Sequence, residues 1–286
     1  MKLPNQDFTF RQHMETNDFE LFHYRHNTPV EVDFHNHDFY EIYLFLSGNV
    51  TYVIEGKSYT LRPKDIIIIN NKELHKAFIK EGTPYERIVI WINPEYIKSL
   101  CSKETNLLKA FCSSSINKLN LLRPNPNITE EIYNIAGKLG IACRSSDFGS
   151  DRLKEVYITE LLIYLNRTFQ IPVRAENMSG VTYNDKINKV IHYINENLNG
   201  DVSLQTLSSK FYLSKYHLLR EFKKNTGYTI HRYIQYKRLI LAKELLRDNK
   251  QVTEVCSQCG FGDYSNFIRS FKKEFGISPK RYSKKL

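Results

Sequence analysis

The run Arg220-Glu221-Phe222-Lys223-Lys224-Asn225-Thr226-Gly227 recurs 49 residues later as Arg269-Ser270-Phe271-Lys272-Lys273-Glu274-Phe275-Gly276. In each copy the phenylalanine belongs to an apolar set at helical spacing, Leu218, Leu219 and Phe222 in the first, Phe267, Ile268 and Phe271 in the second. Each closing glycine suits a left-handed C-terminal cap, because it has no Cβ to clash there. Two equivalent helices with basic residues around one apolar stripe predict a surface that meets a polyanion twice.

Extending the alignment backward, Leu204-x-x-Leu207-Ser208 matches Val252-x-x-Val255-Cys256, with one extra residue in the second turn. Each unit therefore reads as a short helix, a tight turn and a longer basic helix, over about 203–226 and 252–275. Ser203 is placed to cap the first short helix, Ser214 and Asp263 the two longer ones. Gly260 and Gly262 suit the second turn. This is the helix-turn-helix plan, in which the second helix enters the major groove. Between the units, Ile230 to Asp248 carries a helical stripe of Ile230, Ile234, Leu239/Leu241 and Leu245. A rod of that length spans about 28 Å at ~1.5 Å per residue. Adjacent major grooves on one face of DNA lie roughly 34 Å apart, so the rod suits holding two recognition helices in consecutive grooves.

Charge points to the same partner. From Tyr183 to Leu286 there are 20 Lys+Arg against 9 Asp+Glu, whereas the rest of the chain holds 21 and 22. The whole net charge of +10 thus resides in the last third of the 286 residues, as expected of a domain that contacts nucleic acid or an anionic membrane. No apolar run approaches the roughly 18 residues that span a bilayer, and the first residues lack a signal-peptide core. Five dispersed cysteines do not form a disulfide framework. A cytoplasmic protein with no membrane partner is expected. Cys256-Ser-Gln-Cys259 has no second Cys/His pair at finger spacing, so packing is its expected role.

The first third has a different texture. Phe19–His26, Ile42–Leu46, Val50–Ile54, Ser58–Leu61, Ile66–Ile69 and Arg87–Ile92 are short β-branched or aromatic runs, separated by turn signals such as Ser47-Gly48-Asn49 and Glu55-Gly56-Lys57. That spacing predicts a sandwich or barrel. From about Asn93 the pattern becomes helical, with stripes of Ile128, Ile132, Ile135/Ala136, Leu139, Ala142/Cys143 and of Leu153, Val156/Tyr157, Leu161, Tyr164/Leu165. Such stripes pack on the barrel, and a leftover face suits a partner subunit. Residues 170–182 lack a period and contain Pro and Gly, as a linker does.

The closing signature Gly260-Phe261-Gly-Asp-Tyr-Ser-Asn-Phe267-x-Arg269-x-Phe271-Lys-Lys-x-Phe-Gly276-Ile-Ser-Pro279-x-x-Tyr282 resembles the DNA-binding domain of the AraC/XylS family of bacterial transcription regulators. The resemblance covers Asp201–Leu286. Its one departure is Cys256, where that family usually has Ala. It implies base-edge contacts from Tyr216, Leu219 and Arg220 in the first long helix, and from Tyr264, Ser265, Ile268 and Arg269 in the second. Arg can donate two hydrogen bonds to guanine, Ser suits several bases, and Leu or Ile can meet a thymine methyl. Tyr216 and Tyr264 suit phosphate as well as base. Lys215, Lys224, Lys272, Lys273 and Lys280 are the expected phosphate contacts, which strengthen binding without specifying sequence.

In the strand-rich part, His35-Asn-His37-Asp-Phe-Tyr-Glu41 is followed after six residues by Gly48, and Pro63 later by His75. His35 and His37, at i and i+2, share one face of an extended strand. The spacing resembles the first motif of cupins, with a loosened second motif that lacks the usual glycine after Pro63. Sensor barrels of AraC-type regulators resemble cupins and bind small molecules without catalysis. Candidate pocket residues are His35, His37, Glu41, Tyr43, His75 and Trp91; Phe39, Tyr40 and Tyr52 are further aromatic candidates, and Arg25 a candidate carboxylate binder at the barrel mouth. No cofactor or metal is predicted. His35, His37, Glu41 and His75 would be the ligands of a divalent ion such as Fe, Mn, Ni or Zn.

The expected fold is α+β: a cupin-like barrel over 1–105, a helical dimerisation segment over 106–169, a linker over 170–182, and an all-α domain over 183–286 with two helix-turn-helix units joined by a long helix. The expected function is that of a transcription regulator rather than an enzyme: an activator of carbohydrate or other catabolic genes, controlled by a small molecule in the barrel. Its expected partners are promoter DNA, an effector of the sugar class, a second copy of the chain and RNA polymerase. The alternatives are a metal-dependent cupin enzyme with an accessory DNA-binding domain, and a constitutive DNA-binding protein whose barrel only supports dimerisation.

Overall fold

The isoleucine run Ile66–Ile69 has no polar alternation because its strand is buried on both faces. It belongs to a five-stranded antiparallel sheet in a computed structural model describing residues 12–27, 32–113, 115–116, 118–171 and 178–284. The chain divides into two units, Met1–Thr182 and Tyr183–Leu286. Strands β1 (Phe19–His26), β2 (Tyr40–Ser47), β3 (Val50–Ile54), β4 (Lys57–Thr60), β5 (Ile66–Ile69), β6 (His75–Ile79) and β7 (Tyr85–Ile92) come first. Helices α1 (Pro94–Leu100) and α2 (Lys109–Cys112) precede the short strand β8 (Leu121–Leu122). Helices α3 (Pro126–Arg144) and α4 (Ser150–Gln170) then lead to a last short strand, β9 (Val181–Thr182).

The sheets run β1-β7-β2-β5-β8 and β6-β3-β4-β9. Two differences from the sequence pattern stand out. Leu121–Leu122, in a stretch of helical texture, adds an edge strand to β5, and Val181–Thr182, expected in the linker, pairs with β4. Two-residue strands carry no period to be read. Residues 172–177 of the expected linker lie outside the described residues.

The larger sheet is buried on both sides, and the period of two sorts its residues. Ile42, Leu44, Ile66, Ile68, Ile88, Ile90 and Ile92 pack against the helices through Ile132, Ile135, Leu139, Ile158, Leu161 and Leu165. The opposite face, lined by Tyr24, Tyr43, Phe45, Ile67, Ile69, Tyr85, Val89 and Trp91, meets Tyr52 and Tyr59 of the smaller sheet. Asn125 caps α3, accepting from the Ile128 amide with Pro126 in the first turn. The expected stripe of α3 is buried at Ile132, Ile135, Ala136, Leu139 and Ala142 and half-buried at Ile128 and Cys143. That of α4 is only half right: Leu161 and Leu165 point inward with Ile158 and Leu162, while Leu153 and Val156 are exposed.

The second unit is helical. It comprises α5 (Asp185–Glu196), α6 (Leu204–Phe211), α7 (Lys215–Thr226), α8 (Ile230–Arg247), α9 (Val252–Gln258), α10 (Tyr264–Phe275) and α11 (Pro279–Ser283). On α8 the expected stripe is buried at Ile230 and Leu239 and half-buried at Ile234, Leu241 and Leu245, and the fully buried face adds Tyr233, Tyr236, Lys237, Ile240, Ala242 and Leu246. Tyrosine and lysine stems bury well when their polar ends find partners: the Tyr233 hydroxyl donates to Asn195 Oδ1 at 3.2 Å. Cys256 and Cys259 are buried in the core with Val255, Phe267 and Phe271, and burial pushes the Cys259 thiol up to about 12, so both cysteines pack as expected. Among the described residues no helix is long and apolar enough to cross a membrane.

Candidate nucleic-acid interface and barrel interior

Helices α7 and α10 are built alike. Ser214 and Asp263 accept from the amides of His217 and Asn266, and each helix ends on a left-handed glycine, Gly227 and Gly276, whose N–H donates to Lys223 O and Lys272 O at 2.9 Å. Each buries an apolar pair at i and i+4, Leu218 and Phe222 in α7, Phe267 and Phe271 in α10. The turn between α6 and α7 uses a left-handed Tyr212 (φ 53°), whereas that between α9 and α10 uses Gly260 (φ 74°). Gly262 does not take a positive φ, so of the two turn glycines only Gly260 is demanded by the backbone.

The outer faces carry the predicted contact residues. Tyr216, Leu219, Arg220, Tyr264, Ser265 and Arg269 are exposed, as are Lys215, Lys224, Lys272, Lys273 and Lys280. Leu219 therefore leaves the apolar stripe to which its spacing assigned it. Ile268 does the reverse: it is half-buried and packs against the core around Phe267 and Phe271, so only part of it faces outward. Arg232 of α8 pairs with Glu274 at 2.7 Å, and Gln235 donates to Ser270 at 2.9 Å, which fixes α10 against the connecting helix. Asn266 is also exposed on α10 and was not among the predicted contacts; its place in the first turn of that helix is the signal that marks it.

In the first unit, His37, Glu41, Tyr43, His75 and Trp91 are buried, and His35 is half-buried. A reciprocal backbone bridge between His35 and His75 brings β6 beside the segment before β2 (3.1 and 3.0 Å). Glu41 is opposite Trp91 in the β2–β7 register. The Trp91 indole donates to Glu41 Oε2 at 3.0 Å, and the Tyr52 hydroxyl donates to Oε1 at 3.3 Å. Nε2 of His37 stands 3.4 Å from Glu41 Oε2. Burial works to raise the Glu41 carboxyl, but the hydrogen bond and charge of His37, with His75 and His35 beyond, outweigh it and bring it down to about 2. Burial, reinforced by the charges of His35 and His37, pushes His75 well down, so its imidazole is neutral.

All three histidines place a proton on the same ring nitrogen. Nδ1 of His35, His37 and His75 lies 2.8, 2.8 and 2.9 Å from the carbonyls of Asp33, Phe39 and Glu73. A carbonyl only accepts, so each Nδ1 carries a proton, and the neutral ring of His75 keeps its lone pair on Nε2. Nε2 of His75 is buried without a hydrogen-bond partner, and Nε2 of His37 faces only the Glu41 carboxylate. Aromatic rings wall the cluster: His37 stacks on Phe39 at 3.8 Å and Phe39 on Trp91 at 4.4 Å.

Further along the same interior face, the Tyr43 and Tyr85 hydroxyls meet at 2.6 Å. The Arg87 guanidinium lies 4.2 Å from the Tyr85 ring centre and 4.9 Å from that of Tyr24. Arg87 escaped the sequence reading, although its alternation with Tyr85, Val89 and Trp91 marks it as inward. Arg25 is exposed, whereas Arg87 is buried. Tyr40 also points away from the interior: it stacks on Phe111 at 4.8 Å on the helix-covered face.

Residues 17–162 match the family model of the AraC-like ligand binding domain, and residues 207–285 match a helix-turn-helix domain. Among curated proteins, the HTH-type transcriptional activator RhaS of Salmonella schwarzengrund is 28% identical over 248 residues, which is 86% of this chain and 85% of that one. Among solved structures, ToxT from Vibrio cholerae aligns over 94% of this chain and 99% of its own, at 16% identity and a TM-score of 0.38. The C-terminal domain of the two-component response regulator yesN from Fusobacterium nucleatum covers 35% of this chain and 99% of its own, at 34% identity and a TM-score of 0.34.

Proposed function

The chain belongs to the AraC family of ligand-binding, DNA-binding transcription regulators, and from that premise we propose that it is a cytoplasmic activator working as a homodimer with RNA polymerase on catabolic promoters. Its macromolecular partner is promoter DNA, and its N-terminal domain takes a small-molecule effector. Both matched domains are those of regulators, which sets aside the enzyme alternative.

The activator reading is supported by RhaS, which is named as one. The dimer reading is supported by the apolar residues Ile141, Phe148, Leu153 and Val156, all exposed at the end of α3, in the following loop and on the outer face of α4. For the effector, the interior combines aromatic faces, the paired Tyr43 and Tyr85 hydroxyls, the Arg87 guanidinium and the Glu41 carboxylate. These are the groups that stack on and hydrogen-bond a sugar. An effector acts only through a difference in its affinity for two states of the protein.

The observation that carries the DNA reading is the pair of like-capped helices, each presenting an exposed Tyr in its first turn and an exposed Arg farther along, Tyr216 and Arg220 in α7, Tyr264 and Arg269 in α10. Arg220 and Arg269 are base readers, and Lys215, Lys224, Lys272, Lys273 and Lys280 touch phosphate. Selecting binding sites from random duplex DNA tests this. Arg220→Ala should relax one base position of the selected motif, at a cost of about 1–3 kcal/mol on the parent site. An equal loss on every sequence would assign Arg220 to the phosphates instead.

A further inference from the structure

We propose that His37, Glu41 and His75 form a binding site for a first-row divalent metal ion inside the barrel. The inference goes beyond the effector reading, which the metal-free chain can satisfy or fail separately. The sequence alone predicted no metal; the placement of the donor atoms is what changes the conclusion.

Ligand atoms of the three buried residues all lie within 4.8 Å of one another. A four-coordinate ion with bonds of about 2.0–2.2 Å holds its ligands roughly 3.4 Å apart. The His37 Nε2–Glu41 Oε2 pair already has that separation, 3.4 Å. The remaining distances need to close by about an ångström or so, within the reach of side-chain rotation.

Two features show that these groups are arranged for an ion rather than for packing. Each histidine donates its Nδ1 proton to a backbone carbonyl, Phe39 O or Glu73 O, which aims Nε2 into the cluster. This is the outer-shell bond that orients metal-bound imidazoles. Glu41 is steadied in the same manner by the Trp91 indole and the Tyr52 hydroxyl. Second, Nε2 of His75 is buried without a hydrogen-bond partner, and Nε2 of His37 has only the Glu41 carboxylate beside it, at 3.4 Å. A buried polar atom left unmatched is costly, so native interiors rarely keep one. A proton shared between His37 and Glu41 would satisfy one and leave His75 stranded. A dication satisfies both and compensates the buried carboxylate.

Two imidazoles and one carboxylate suit Fe(II), Co(II), Ni(II), Mn(II) or Zn(II) rather than Ca(II) or Mg(II), and they leave coordination positions open for water or an effector oxygen. His35, whose ring lies 4.3 Å from that of His75, is the neighbour nearest to becoming a fourth ligand.

The chain supplies its own probe. Trp91 is its single tryptophan, and its indole nitrogen is 3.0 Å from a proposed ligand oxygen. The full-length protein, stripped with a chelator, is titrated with Co(II) while tryptophan fluorescence is followed. Saturable quenching at one ion per chain is expected, reversed by competing Zn(II), which does not quench. His75→Gln and Glu41→Gln should each weaken the apparent Co(II) affinity by at least about tenfold, while His192→Asn, in the other unit, leaves it unchanged. Far-UV circular dichroism and retained DNA binding establish that each variant is folded. Absence of saturable quenching in the folded parent protein overturns the proposal. So does quenching that persists at full affinity in both folded ligand variants, since the ion then binds elsewhere.

Discussion

Gly260 stands where two demands meet. Its φ of +74° is in the left-handed region, and a Cβ there would lie 2.5 Å from the carbonyl oxygen of Leu198 and 2.9 Å from the Arg238 guanidinium. That guanidinium donates to the same carbonyl at 2.8 Å and to Gly200 O at 3.2 Å, so the crowding falls on a bonded group that holds the α5–α6 loop. Gly276 has the same φ with open space around it. The two glycines therefore separate conformational strain from steric contact. Gly276→Ala should cost about 1–2 kcal/mol, the left-handed penalty alone. Gly260→Ala should cost that and the clash, roughly 3 kcal/mol or more. Denaturant titration followed by far-UV circular dichroism measures both, and equal losses would remove the role of close approach. At this scale the sequence was legible wherever a residue acts on its immediate neighbours. Ser203, Ser214 and Asp263 all cap the helices they precede. It was silent on Arg87, whose burial depends on strands distant in the chain.

Between residue and domain, an element's identity follows from its period and its ends, whereas the face it buries follows from what lies opposite. Helix α10 illustrates the first: Asp263 starts it, Gly276 stops it, and Phe267 and Phe271 seat it. Asp263→Ala should destabilise the helical unit by about 0.5–2 kcal/mol, with Asp263→Asn restoring most of the loss. Denaturant midpoints of the two variants check this, and a failure of Asn to rescue would point to the charge of Asp263 rather than its hydrogen bond. Helices α4 and α8 illustrate the second. Their apolar residues are wide enough in distribution to admit more than one inward face. In α8 the choice goes to Tyr233, Tyr236 and Lys237, residues that hydropathy counts as half polar. In α4 it leaves Leu153 and Val156 outside, as the proposed dimer contact requires. The short strands β8 and β9 were unreadable, since two residues form strands only because β5 and β4 offer free edges.

For the molecule as a whole, charge and fold divide the work between the units: the excess of positive charge is all in residues 183–286, and the buried titratable cluster is in the first unit. DNA affinity should accordingly fall steeply with salt. Replacing both Lys272 and Lys273 with Ala should reduce the slope of log K against log[salt] by about 2, with no change in sequence preference. Fluorescence anisotropy on one duplex across a salt series reads the slope; an unchanged slope would remove these lysines from the phosphate contacts. The sequence by itself determined the regulator family, the paired helix-turn-helix units and their caps, because a repeat in register and a local turn leave their mark within a few tens of residues. It also placed His37, Glu41, His75 and Trp91 together as candidates, through spacing and resemblance. Only the tertiary structure decided that Ile268 turns partly inward and Leu219 outward, that Arg87 is buried and Arg25 exposed, and that ring nitrogens of His37 and His75 converge on the Glu41 carboxylate. Those outcomes depend on which strands and helices meet across the core, and burial there sets both the cost of an unmatched lone pair and the charge a site must hold.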